Sequence, residues 1–456
     1  MNTKDLYEII PDKERVITEN ISAEYLSDVL GRLKGTAQAV IKPVSTDEVS
    51  RVLKYAYENE IQVTPRGAGT NLVGSTVPDR GGIILDMSLM NKVQELDKDT
   101  FTATVEPGVI LEDFQKYVES QGLFYPPDPG EKRATIGGNI STNAGGMRAV
   151  KYGVTRDYVM GLEVVLADGK VLEFGGKNIK DSSGLALKHL ITGSEGTLAV
   201  ITKCILKLVP KPEYSLSVVV PFDSLKTGIE NVINILGQNA NPTAVEFVER
   251  KVIKLGEDFL NLKFPYENAQ AYIILTFDGR KDEIVNNAAR VKKAVLKNGA
   301  LDFIELNDEK LSADVWKIRG VLVKSVEAVS EQEPIDIAVP VNKTAEFIEY
   351  VNELEKETKM QMVSFGHAGD GNVHLCVVRG NRTEEQWLKE KKENLSKSYK
   401  KAYELGGVTS GEHGIGLSKK QYFHAETNAE NLELMRRIKK AFDNKNILNS
   451  SKSYNV

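Results

Sequence analysis

The sequence predicts an α+β protein of two or three domains, and three observations lead there. Its 456 residues exceed what one core usually organises, at roughly 150 residues per domain. Short apolar strand-like runs alternate with segments of helical periodicity along most of the chain. Its 37 glycines are concentrated in two zones, Gly67 to Gly196 and Gly366 to Gly416, and a glycine-poor amphipathic stretch separates them.

In chain order, Ala39 to Ile41 reads as a strand. Asp47 caps a helix with Val49, Val52, Leu53 and Ala56 on one face. Short strands follow from Gly82 to Leu85 and from Ala103 to Val105, then a helix through Leu111, Phe114 and Val118 that stops at Gly122. Leu162 to Leu166, the pair Asp168-Gly169 and Val171 to Phe174 form a hairpin signature, because Asp-Gly supplies positive φ at the turn. Pro210-Lys-Pro212 closes this zone. Beyond it, runs near Leu216, Ala271 and Asp336 read as strands. Segments around Ile229, Ile284 and Thr344 to Thr358 read as helices, and a charged helix runs from about Glu430 to Phe442. No internal sequence repeat is evident.

Composition excludes several classes of function. The chain is 41% hydrophobic and 27% charged, with net charge −5 and no Lys/Arg blocks, which argues against a nucleic-acid partner. No apolar run approaches the roughly 18 residues that span a bilayer, and no secretory signal is expected at the start. The two cysteines, Cys204 and Cys376, cannot hold an iron–sulfur cluster, which needs about four thiolates. A cytoplasmic location is expected.

Three motifs of the first glycine zone are candidates for chemistry. In Pro65-Arg-Gly-Ala-Gly-Thr-Asn-Leu-Val-Gly74, glycines let backbone N–H groups approach an anion. The spacing matches neither a dinucleotide-binding fingerprint nor a P-loop, so a phosphate cradle and a plain glycine-rich turn are both open. The stretch from Tyr125 through Pro127, Asp128 and Ala134-Thr-Ile-Gly-Gly-Asn-Ile-Ser-Thr-Asn-Ala-Gly-Gly146 to Tyr152 is expected to form no regular element. Its backbone groups need a polar partner; a large polyphosphate cofactor suits, and a surface loop is the alternative. Gly193-Ser-Glu-Gly-Thr-Leu198 is a third tight approach.

The second glycine zone holds three of the five histidines, in Gly366-His-Ala-Gly-Asp-Gly-Asn-Val-His374 and Ser410-Gly-Glu-His-Gly-Ile-Gly416. A separation of seven would point His367 and His374 to opposite faces of one strand. The intervening turn can aim both at one point, with Glu412 adding a carboxylate, a donor set that suits a divalent metal with open positions. Hydrogen-bonded structural histidines are the alternative. His189 and His424 read as structural.

These motifs together resemble the vanillyl-alcohol-oxidase-type flavoproteins, in the branch of D-lactate dehydrogenases and glycolate oxidase flavin subunits. The resemblance runs from about Val40 to Asn449 and implies a p-cresol-methylhydroxylase-type FAD domain at 1–213. A ferredoxin-like α+β cap follows at 214–418, then a segment at 419–456 that returns to the FAD domain. It implies that Gly67, Gly69 and Thr70 cradle the pyrophosphate, within a loop that also includes Arg66, Ala68, Asn71 and Gly74. Thr135, Gly138, Ser141 and Asn143 would line the flavin. Pro127, Asp128, Gly137, Gly145, Gly146 and Tyr152 belong to the same envelope, as does Gly196. Glu195 and Ile201 would approach the ribityl–adenosine portion, and Asn449 the flavin. Positions where some relatives attach FAD covalently read Ala-Gly-Thr and Ala-Thr-Ile here, so dissociable FAD is expected.

The same resemblance implies that His367, His374 and Glu412 bind Fe²⁺, Zn²⁺ or Mn²⁺ and that His413 is the base. Arg319 would clamp the substrate carboxylate; a surface position or a pair with Asp314 is equally open from the sequence. Residues Glu331 to Asp336 offer no second cation, which favours a small monocarboxylate. The expected activity is oxidation of a small D-2-hydroxy acid, D-lactate foremost, with glycolate and D-2-hydroxyglutarate as alternatives. Electrons would pass to a two-subunit electron-transferring flavoprotein, in the manner of bifurcating complexes. A flavin-free metallohydrolase and a non-catalytic flavin scaffold are the competing classes.

Overall fold

A computed structural model describes Met1 and residues 3–455. The chain divides into two compact units: Met1–Gly145, Gly153–Lys211 and Glu412–Val456 form the first, Gly146–Tyr152 and Pro212–Gly411 the second. The second unit therefore ends seven residues short of the expected 418 and also takes in a short piece of the polar stretch.

In the first unit, strands Ala39–Ile41, Ile83–Asp86 and Val63–Arg66 pair in parallel in that spatial order. The crossover helix is Thr46–Glu58, and its cap is Ser45, which accepts from Glu48 N. Asp47, the expected cap, lies in the first turn and pairs with Arg51. A β-region backbone at Ser45 explains the difference, since a capping residue precedes the first helical one. The helix buries Val49, Val52, Leu53 and Ala56 against this sheet. A second sheet of five antiparallel strands contains the Asp-Gly hairpin, Val159–Val165 paired with Val171–Gly175. The chain's C-terminal part closes the first core: Val63 N donates to Ile447 O, and Ile447 and Leu448 are fully buried. The polar stretch is not wholly irregular. Thr135 caps a helix at Ile136–Thr142, accepting from Gly138 N at 3.2 Å; the cap outweighs the low helix propensity of Gly137-Gly138.

The second unit is a seven-stranded antiparallel sheet flanked by helices. In chain order its elements are β1 Tyr214–Phe222, α1 Leu225–Leu236, β2 Ala244–Glu249, α2 Arg250–Leu260, β3 Ala271–Gly279, α3 Lys281–Lys297 and β4 Ile304–Glu305. They continue with α4 Glu309–Gly320, α5 Leu322–Val329, β5 Gln332–Ala338, α6 Thr344–Thr358, β6 Met362–His367, β7 Asn372–Val378 and α7 Glu384–Glu404. The spatial order is β4-β1-β3-β2-β6-β7-β5. Elements β1-α1-β2-β3-α3-β4, ordered 4-1-3-2 across the sheet, make one ferredoxin-like half. A second half follows as β5-α6-β6-β7-α7, with Val408 bridged to Ala338 in the fourth strand's place. The two halves meet through β2 and β6. A structural repeat is therefore present where the sequence offered none.

One face of this sheet carries Val248, Tyr272, Ile274, Val363, Phe365 and Cys376, packed against Val252, Ile253, Val315, Ile318, Leu322 and Val326 of α2, α4 and α5. Burial of each such aliphatic side chain is worth roughly 1.5–3 kcal/mol, and this packing fixes α4 over the seam between the halves.

Candidate functional site

At that seam, cross-strand register brings the chemistry together. Glu246 of β2 lies opposite His367 of β6. Within the β6–β7 hairpin Phe365 faces His374, and in β7–β5 His374 faces Asp336. The hairpin reverses the chain, so two histidines seven apart share one face: His374 is opposite a residue two positions from His367. Their rings stand at 88°, with Nε2 atoms 3.3 Å apart. That separation suits an N–H···N hydrogen bond and equally two ligands at about 2.05 Å from one ion with a tetrahedral angle.

His367 Nδ1 lies 2.6 Å from Glu246 Oε1. The other oxygen, Oε2, accepts from Arg319 Nε at 3.0 Å and Nη2 at 2.6 Å. Glu246 is 0% exposed. Burial by itself would raise its carboxyl, but His367 and Arg319 outweigh that and hold it below the ordinary value. Arg319 therefore pairs with Glu246, and the Asp314 partner considered from the sequence faces Lys317 at 3.7 Å instead. The guanidinium stacks 5.3 Å over the Phe365 ring, and among the described residues no acceptor lies on Nη1.

Gly411 ends the second unit beside this row. A Cβ there would collide with Asn372 Nδ2 and approach Asp336 Oδ1, and both Asn372 and Ser410 donate to Asp336. The backbone that leads into Glu412 thus runs beside the strand that pairs with His374.

In the first unit, the 412–416 segment is fixed from several sides. Glu195 Oε1 accepts from Ile415 N at 2.9 Å and Ser453 Oγ at 2.7 Å, while Oε2 accepts from Gly416 N at 2.8 Å and from Ser75 Oγ. Asn71 Nδ2 donates to His413 O at 3.3 Å, and Asn71 Oδ1 accepts from Val73 N and Ser75 N. His413 Nε2 lies 3.7 Å from Glu412 Oε1.

Other residues named from the sequence are also held by internal bonds. Ser141 Oγ donates to Gly137 O, and Asn143 sits in a left-handed conformation with its Oδ1 accepting from Arg156 N. Pro127 O and Asp128 both accept from Gln115 Nε2. Asn449 Nδ2 donates to the carbonyls of Ser75 and Glu195. Ile201 is buried in its strand opposite Val164. Tyr152 belongs to the second unit, where its hydroxyl donates to Asp278. His189 is exposed, and His424 lies against Ser453 O. Ser141, Asn143, Asp128 and Asn449 thus each make hydrogen bonds that hold their own segments in place.

The same unit fits a polyphosphate cofactor. Arg66, at the head of the first glycine loop, is buried, and its Nη1 has no partner. Burial pulls this guanidinium below its ordinary value despite Asp86, Tyr25 and Glu24. Asn139 Nδ2, on the Thr135-capped helix, is a second buried donor without a partner. At Gly67 a Cβ would collide with Thr135 Oγ1, so only glycine lets loop and capped helix close on one another. A buried cation and unpaired donors beside such a cradle are what a pyrophosphate requires.

Comparison with known proteins agrees. Residues 37–175 match the family profile of an FAD binding domain, and residues 211–453 that of the C-terminal domain of FAD linked oxidases. The chain belongs to the FAD-linked oxidase family: it is an FAD-dependent oxidoreductase. Among its relatives, D-lactate dehydrogenase of Anaerostipes hadrus is 40% identical, over 98% of this chain and 95% of the relative. Glycolate oxidase subunit GlcD of Bacillus subtilis is 36% identical over 94% and 92%. D-lactate dehydrogenase of Archaeoglobus fulgidus is 39% identical over 91% and 90%. The fold is also that of p-cresol methylhydroxylase, with a TM-score of 0.81 at 16% identity over 99% of this chain and 96% of that one. Among the described residues no helix is long and apolar enough to cross a membrane.

Sequence reasoning missed Glu246. Its one signal was an acidic residue inside the apolar run Ala244-Val-Glu-Phe-Val248, where an unpaired charge would be costly.

Proposed function

We propose that this enzyme oxidises a small D-2-hydroxy acid, D-lactate foremost, to the 2-oxo acid. The observation that carries the reading is the hydrogen-bonded line in which Arg319 of α4 joins Glu246, His367 and His374 on one sheet face. Arg319 keeps one edge of its fork for a substrate carboxylate. His367 and His374 present the nitrogen pair of a divalent-metal site, with Glu412, which follows Gly411 directly, as the third ligand. Bound FAD would supply the acceptor for the C2 hydride, and the metal, as Fe²⁺, Zn²⁺ or Mn²⁺, a Lewis acid that lowers the pKa of the C2 hydroxyl. His413 then removes the hydroxyl proton as general base. Arg319 and the two-histidine hairpin hold the substrate against rotation while it does so.

Two observations favour a monocarboxylate. The relatives above include two D-lactate dehydrogenases, and the stretch from Glu331 to Asp336 adds carboxylates, with Glu331 on Arg379 and Glu333 on Lys391. Glycolate is the second candidate, favoured by the likeness to a glycolate oxidase subunit. Two cysteines are too few for an iron–sulfur relay, so reoxidation is assigned to a separate acceptor, and the family resemblance favours an electron-transferring flavoprotein. The FAD is taken to be dissociable. The experiment is anaerobic mixing of FAD-loaded protein with D-lactate, L-lactate, glycolate or D-2-hydroxyglutarate while the flavin absorbance is followed. Bleaching fastest with D-lactate is expected. No bleaching with any of the four overturns the proposal, and unchanged bleaching in His413→Asn removes that residue as base.

A further inference from the structure

We infer that Glu246 is a positioning residue that couples the substrate-carboxylate cation to the metal ligands. The inference rests on the function proposed above and deepens it. A single buried carboxylate makes both contacts: Oε1 receives His367 Nδ1 and Oε2 receives Nε and Nη2 of Arg319. With Nδ1–H donating, the lone pair of His367 sits on Nε2, the atom that faces His374. Carboxylate-to-histidine contacts of this kind fix tautomer and ring orientation in metal sites. The same group fixes the Nε edge of Arg319, so the guanidinium is already turned before substrate arrives and its Nη1 edge is the one presented. Sheet register enforces the arrangement, since Glu246 and His367 are directly opposed at the seam between the two halves. Arg319 reaches them from α4, where Val315 and Ile318 are anchored in the core.

The consequence is specific. Glu246→Gln is nearly isosteric but carries one acceptor and one donor. If its oxygen serves Arg319, its NH₂ faces His367 Nδ1 and drives the proton to Nε2, the ligating atom. If its oxygen serves His367, its NH₂ confronts the guanidinium. One partner always loses. In the double variant Glu246→Gln/Arg319→Met the cation is gone, so the amide oxygen can turn to His367 Nδ1–H and restore the tautomer.

The test measures Zn²⁺ dissociation constants by chelator competition on the FAD-loaded full chain, together with KM and kcat for D-lactate. Glu246→Gln is expected to weaken Zn²⁺ by about 10–100-fold and to raise KM. The double variant is expected to recover Zn²⁺ affinity to within about threefold of wild type while its KM stays high. It leaves no unpaired buried charge, so it serves as the readout even if Glu246→Gln fails to fold. Zn²⁺ affinity in Glu246→Gln within about twofold of wild type overturns the coupling, as does a double variant that binds Zn²⁺ as weakly as a His367→Ala control. Wild-type protein that binds no divalent metal and is not bleached by hydroxy acids would instead sink the function proposal.

Discussion

Replacing Glu195 by Gln changes one atom in a buried hub and has a calculable cost. Its two oxygens accept four hydrogen bonds, two from the backbone N–H groups of Ile415 and Gly416 and two from the hydroxyls of Ser453 and Ser75. Either orientation of the new amide aims its NH₂ at one of those backbone donors. The serine on that side can rotate to accept, but the peptide N–H cannot. A buried donor left without its acceptor costs about 1–3 kcal/mol, and losing charge assistance on the rest adds about 1 kcal/mol. The expected destabilisation is therefore about 2–4 kcal/mol. Because Ile415 and Gly416 lie two and three residues beyond His413, the proposed base, whose carbonyl is held by Asn71, that side chain should also shift, lowering kcat by about ten- to a hundredfold. Urea titration of the holoprotein reads the first effect and single-turnover flavin reduction the second. A variant within 0.5 kcal/mol of wild type and with undiminished kcat would refute the view that Glu195 positions the catalytic segment.

Three further outcomes are expected. Burial pushes the Lys452 ammonium down to about 8 against the pull of Asp79 and Glu195, so the unfolded chain holds more protons than the folded one between about pH 8 and 10.5. The folded state is thus penalised below pH 8, and wild type should gain about 2 kcal/mol relative to Lys452→Met from pH 8 to 10 in urea titrations; a constant difference would contradict this. Gly67→Ala places a Cβ against Thr135 Oγ1 and should weaken FAD retention in equilibrium dialysis more than tenfold, an effect of about 1.4 kcal/mol or more; unchanged retention would place the cofactor elsewhere. Thr135→Ala removes the N-cap of helix Ile136–Thr142 and should cost about 1 kcal/mol in urea titration; no loss would mean the cap is not what forms that helix.

Much of the fold could be read locally. The Asp168-Gly169 turn, the helix Thr344–Thr358 and the histidine hairpin each depend on neighbours a few residues away. What escaped depends on long-range pairing. Glu246 meets His367 across 121 residues, and a buried acidic residue in an apolar strand does not reveal its partner. The two ferredoxin-like halves share an order of elements but no sequence period, so the repeat appears only once the strands are paired. The helix at Ile136–Thr142 was obscured by its glycines, although Thr135 three residues before Gly138 was a cap signal. Nor could the sequence show that Asn143 and Glu195, polar residues embedded in glycine, also hydrogen-bond to distant backbone groups, Asn143 to Arg156 N and Glu195 to Ile415 N and Gly416 N.

The proposed function joins hydroxy-acid oxidation at FAD to a divalent metal held by this chain's own residues. Anaerobic reduction of its FAD by D-lactate, measured before chelation, after chelation and after Zn²⁺, Mn²⁺ or Fe²⁺ is restored, tests that most directly. The account predicts bleaching that chelation slows by orders of magnitude and that one of the three metals restores. Full-rate bleaching in the chelated protein, or none in the metal-loaded protein, would contradict it.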